Sequence, residues 1–106
     1  MSTATLTWTN PTTRADGSLL NSTDIAQINV FDQANTIPGT VMIGSVPGAG
    51  TSFTTKTLTV DTHNFTVVVQ DIAGHTSAAS NVATVVVPAT QANPSAVTNL
   101  AATLNP

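Results

Sequence analysis

Cysteine, tyrosine and glutamate are absent from this chain, and only Arg14 and Lys56 are basic. Each absence removes a class of chemistry. Without cysteine there is no disulfide, no thiolate metal site and no thiol nucleophile. With two basic residues and a net charge of −3, nucleic acid and anionic membranes are not expected as partners, because phosphate binding needs clustered Lys and Arg. Charged residues make up 7% of the chain, against ~25% in an average domain. The missing Glu and scarce Lys and Arg deprive helices of their usual surface residues. No apolar run approaches the ~20 residues of a membrane-spanning helix. The opening MSTATLTW has neither a basic n-region nor an apolar h-region, so no cleavable export signal is expected.

What is present favours strands. Hydrophobic residues make up 41% of the 106, enough for one domain with a packed core. Threonine recurs beside Val and Ile, and such β-branched side chains lose rotamer freedom in helices but pack well on pleated sheets. Leu6 and Trp8 alternate with threonines over 4–9, the period of a half-buried strand. Ile28 and Val30 share a face in 25–32. The stretch 41–46 is a short strand weakened by Gly44, which suits a sheet edge. Phe53 and Leu58 mark a strand over 51–58, and Phe65, Val67 and Val69 one over 64–71. The Val-rich centre of the latter suits a central strand covered on both faces. Val85 and Val87 belong to a last strand over 81–87, stopped by Pro88, which cannot donate to a ladder. Those eleven apolar side chains, from Leu6 to Val87, form the expected core. The segments 10–24 and 72–80 are rich in turn formers and read as loops. Short strands between turn signals predict an all-β sandwich or barrel.

Trp8 in LTWTNP, the strand DIAQINVF, Phe53 ahead of Leu58, and NFTVVVQDIAGHTSAASN carry a family pattern. In the last stretch Phe65, Val67, Val69, Asp71, Gly74, Ser77, Ser80 and Asn81 follow an aromatic-x-V-x-V-x-D, Gly-turn, S-x-x-S-N order. Residues 4–87 thereby resemble the fibronectin type III family, in the variety common in bacterial and phage proteins. The resemblance implies a seven-stranded Greek-key β-sandwich. Two departures stand out. The family usually has tyrosine where Phe65 stands, so the hydroxyl bond of its corner is lost. Its first strand, strand A, also precedes the tryptophan strand by about ten residues, and only MST stands ahead of that strand here.

A strand of that kind closes the chain instead. In PSAVTNLAATLNP, Leu100, Ala102 and Leu104 alternate, with Val97 ahead of them. The expected division is a sandwich body over 1–87, a polar linker over 88–95, and a tail over 96–106 that docks on a neighbouring chain. Burying Leu100 and Leu104 would contribute about 1.5–3 kcal/mol each. The other reading of the tail is the first strand of a following domain in a longer tandem protein.

Neither catalysis nor cofactor binding is expected. Asp16, Asp24, Asp32, Asp61 and Asp71 are scattered singly, without the close oxygen ligands of a calcium loop, and read as turn-forming, solvated residues. His63 and His75 fall in expected turns and read as solvated, since zinc would need three or four ligands. No nucleophile-elbow pattern occurs. RAD at 14–16 reads as an Asp-Gly turn, and NST and NFT as chance glycosylation patterns in a Thr-rich chain. The expected function is therefore a non-enzymatic structural module of a larger assembly. A virion surface protein of the capsid-decoration kind fits, with copies of itself and a capsid or other assembly protein as partners. The alternative is a spacer or adhesion module of a secreted or cell-surface bacterial protein.

Overall fold

A computed structural model describes residues 2–89 and 93–105 of the chain. Of the segments drawn from the sequence, Met1 of the body, linker residues 90–92 and Pro106 of the tail lie outside the described residues. Among the described residues there are six strands, β1 (Thr5–Thr7), β2 (Ile25–Ala34), β3 (Val41–Pro47), β4 (Ser52–Thr54), β5 (Asp61–Asp71) and β6 (Ala83–Val87), and one 3-10 turn at Ser22–Asp24. They form two antiparallel sheets, β1-β4 and β3-β2-β5-β6. The fold is all-β and sandwich-like. The Gly44 strand sits at a sheet edge and the Val-rich strand is central.

Parity explains which side chains face inward. On β5 the odd residues point to the core, so Phe65 is fully buried and Val67 and Val69 are half-buried on one face. The same parity takes His63 and Asp71 inward at the two ends of the strand. On β2, Ile28 and Val30 are completely buried. Ile25 faces the same core three residues earlier, because the register with β5 shifts between Ile25 and Gln27. A bulge of that kind inserts one residue and moves the preceding side chain to the other face.

The core has two clusters. Leu6, Val30 and Phe65 form one, and Leu20, Ile25 and Ile28 the other. Trp8 and Val67 pack against both and join them. Phe53, Leu58, Val69 and Val85 are half-buried around these centres, and Val87 is buried at the end of β6. Leu20 comes from the 10–24 segment, which is more ordered than a plain loop. Thr13 and Leu19 bridge, Arg14 N–H donates to Ser18 C=O at 2.7 Å, and Gly17 takes a φ of 88° at the tip. Only glycine adopts that φ at no steric cost.

The strand expected over 51–58 is shorter than its alternation implied. Thr55 turns its hydroxyl inward to accept the Ala4 N–H at 2.9 Å and is itself buried. β4 therefore stops at Thr54, although Leu58 N–H still reaches Ser2 C=O at 2.7 Å.

Gly44 owes its identity to Phe53. A Cβ built on Gly44 would lie 2.7 Å from two carbons of the Phe53 ring, closer than packed atoms tolerate. Gly44→Ala is expected to cost about 1–3 kcal/mol through overpacking. Urea denaturation should show the loss, and Phe53→Leu in the same chain should recover part of it.

Candidate functional site

β1 uses one of its two edges. Trp8 N–H donates to Thr51 C=O at 3.0 Å, and Thr55 N–H donates to Ala4 C=O at 2.8 Å. Even-numbered residues of this segment thus face β4. Antiparallel alternation then turns the N–H and C=O groups of Thr5 and Thr7 to the opposite edge. Among the described residues no strand pairs with that edge.

Below the edge, between the two sheets, lies a groove of about 810 Å³. Trp8, Leu20, Val67 and Val69 give it an apolar floor. The indole is held in place by its Nε1–H, which donates to Asn10 Oδ1 at 2.9 Å and to Gly50 C=O at 3.1 Å. Asn10 is anchored in turn by Nδ2, which donates to Ala49 C=O at 2.8 Å.

The far wall is the segment 76–81. Ser77 N–H donates to Val69 C=O at 2.8 Å, and Ser80 N–H to Val67 C=O at 2.9 Å. Their hydroxyls accept the N–H groups of the same two valines, at 2.9 and 3.0 Å. Each serine therefore satisfies both main-chain groups of one β5 residue. The S-x-x-S spacing does for the upper half of β5 what β6 does for the lower half, where Asp61–Phe65 pair with Ala83–Val87.

Asp71 closes one end of the groove. Its Oδ2 accepts from Arg14 Nη1 at 2.8 Å, and its Oδ1 accepts the N–H groups of Ala73 and His75 at 3.0 and 2.8 Å. The side chain is 6% exposed. The bond from the Arg14 guanidinium, aided by the His75 N–H and against the effect of burial, lowers this carboxyl to about 2. Asp71 thus forms the turn expected of it, but it is buried and ion-paired rather than solvated. It ties the 13–19 hairpin to the 71–75 turn.

His63 corrects a second expectation. It lies in β5, 3% exposed, and its ring stacks on Phe65 at 6.0 Å. Nδ1 is 2.7 Å from Asp32 Oδ2 and Nε2 is 2.9 Å from Thr59 C=O. Both partners are acceptors, so the doubly protonated ring satisfies both. Burial opposes that charge, but the Thr59 and Asp32 bonds outweigh it and the imidazole pKa is raised. Asp32 Oδ1 is buried with no partner among the described residues. His75, by contrast, is exposed. Asp16 keeps its expected role, accepting the Ser18 N–H at 3.0 Å across the Gly17 turn.

The tail residues lie apart from all of this. Val97, Leu100 and Leu104 are 78%, 92% and 92% exposed, and Ala102 is exposed too. The body and tail together extend 92 Å along one axis and 22 Å across. Among the described residues no group of three or more His, Asp or Glu side chains could hold a metal ion. Comparison with family models, curated proteins and solved structures found no match to this chain.

The Asp71 geometry carries a pH dependence. Its folded pKa is below the unfolded value near 3.9, so its stabilisation is present above that value and is lost as pH falls toward about 2. Thermal melts should show stability dropping through that window, and Asp71→Asn should be less stable at neutral pH with a flatter acid limb.

Proposed function

We propose that this chain is a non-enzymatic structural module of a larger assembly, built on the fibronectin type III plan and joined to its neighbours through its open sheet edge and its C-terminal tail. One observation carries the reading: a single chain holds both an unpaired strand edge over an apolar groove and an apolar, alternating tail left in solvent. Open edges are pairing templates, and proteins ordinarily cover or charge them. β1 carries no charge, and neither does the described tail. Six strands among the described residues, with an open edge on β1, also suit a seven-stranded sandwich that lacks its first strand.

A virion surface protein of the capsid-decoration kind is the setting this reading favours. Contacts built from main-chain bonds and Leu side chains depend little on salt, because few charges are there to be screened. Copies of the same chain are the first partners, and a capsid or other assembly protein the second. A spacer module in a secreted or cell-surface protein is the other reading, supported by the likeness of the tail to a first strand of a further domain.

Sedimentation velocity of the full chain tests the proposal. Self-association that rises with concentration and survives high salt is expected. Leu100→Asp combined with Leu104→Asp should leave the chain monomeric at every concentration, since a buried unpaired carboxylate is costly. The melting temperature of the monomeric body should stay unchanged. A wild-type chain that is monomeric throughout, or association indifferent to the double substitution, contradicts it.

A further inference from the structure

We propose that His63 is a protonation-dependent latch: as an imidazolium it ties the segment 55–60 to β2, and loss of its proton lets that segment lift from the body. The latch is independent of the assembly reading above. His63 stands between two acceptors. Nδ1 is 2.7 Å from Asp32 Oδ2 and Nε2 is 2.9 Å from Thr59 C=O. Only a ring protonated on both nitrogens donates to both. The two partners differ in how firmly they are held. Asp32 lies in β2, paired with Val41 of β3 and with Phe65 of β5. Thr59 is exposed, in the segment between β4 and β5. That segment also holds the start of the chain: Thr55 N–H donates to Ala4 C=O at 2.8 Å, and Leu58 N–H to Ser2 C=O at 2.7 Å.

The segment lines one side of a cavity of about 320 Å³, with Ile43, Phe53, Asp32 and His63 on the other. The charged groups around the ring are Asp32 from β2, Asp61 from its own strand and Lys56 from the segment. β1, β3, β4 and β6 carry no titratable side chain. Lys56 makes no ion pair among the described residues, so His63 is the counter-charge of Asp32. Loss of the proton leaves Asp32, 12% exposed, as an unpaired carboxylate, which is costly until water reaches it. It also leaves one lone pair of the ring facing an acceptor. Asp32 is fixed within a sheet, so the segment gives way. Thr59 Oγ1 is 3.5 Å from Nε2 and can donate to the bare nitrogen. The neutral ring thereby exchanges the Thr59 carbonyl for the Thr59 hydroxyl, and the segment turns. Burial opposes the charge on the ring, but the bonds to Thr59 and Asp32 and the charge of Asp61 outweigh it and raise its pKa. The latch's contribution to stability is therefore fully present below the unfolded value near 6.5. It is lost as pH rises through the higher folded value.

An NMR titration of the full chain tests the latch. The His63 ring carbons, the Thr59 carbonyl carbon and the Leu58 amide are followed together. One shared midpoint above about 6.5 is expected, with the carbonyl signal reporting a lost hydrogen bond and the Leu58 amide losing protection above it. A His63 midpoint at or below that value overturns the proposal, and so do Thr59 and Leu58 signals that stay flat while His63 titrates. Asp32→Asn should lower the shared midpoint by about one unit or more, because it removes the counter-charge. Thr59→Val should raise it, because the neutral ring loses its donor while the carbonyl remains. A midpoint that neither substitution moves overturns the latch as well. If either variant fails to fold, the wild-type titration decides alone.

Discussion

A β-strand has hydrogen-bonding groups on both edges, and among the described residues β1 pairs along only one of them. The cost of the other is modest while water reaches it, but water then also reaches the apolar floor formed by Trp8 and Val67. Much else in the body compensates for this open side. Trp8 is fixed by Asn10 and Gly50 rather than by a neighbouring strand. Leu20 is delivered to the core by an ordered hairpin. The Arg14–Asp71 bond ties that hairpin to the opposite sheet.

The two sides of the groove differ in how they are finished. On β5 the upper edge is closed within the chain, because Ser77 and Ser80 each bond twice to a valine of that strand. On β1 nothing comparable occurs among the described residues. The guard at this edge is the shortness of β1, three residues; neither charge nor proline stands at Thr5, Leu6 or Thr7. The proposed assembly reading pairs this open edge with the uncharged tail.

Alternation made the strands and most of the core legible in the sequence. Phe65, Val67 and Val69 mark the core face of β5 directly, and Ile28 with Val30 does the same for β2. Continuing the β5 alternation from Val69 and Phe65 by two residues turns Asp71 and His63 inward; Asp71 lies in the expected strand and its turn role holds, but polarity alone suggests solvent for it and a turn for His63. Ile25 escaped because a bulge breaks the period after it, and a bulge has no side-chain signature at that point. Leu20 escaped because it lies in a segment dense with turn formers. Gly44 was read as a weakness of its strand, whereas the Phe53 ring requires it, and that contact joins residues from different sheets. The groove was legible only in outline: the tail's period was visible, but the floor it could cover is assembled from β1, β5 and the 10–24 hairpin.

The central claim is that Thr5 and Thr7 offer unpaired main-chain groups that a second chain satisfies. Amide hydrogen exchange at those two residues measures it most directly. Their amides should exchange fast in dilute protein and become protected as concentration rises, while the amides of Leu6 and Trp8, bonded toward β4, stay protected throughout. Fast exchange at Thr5 and Thr7 under conditions where the chain is fully associated, or strong protection in the isolated monomer, would contradict the account.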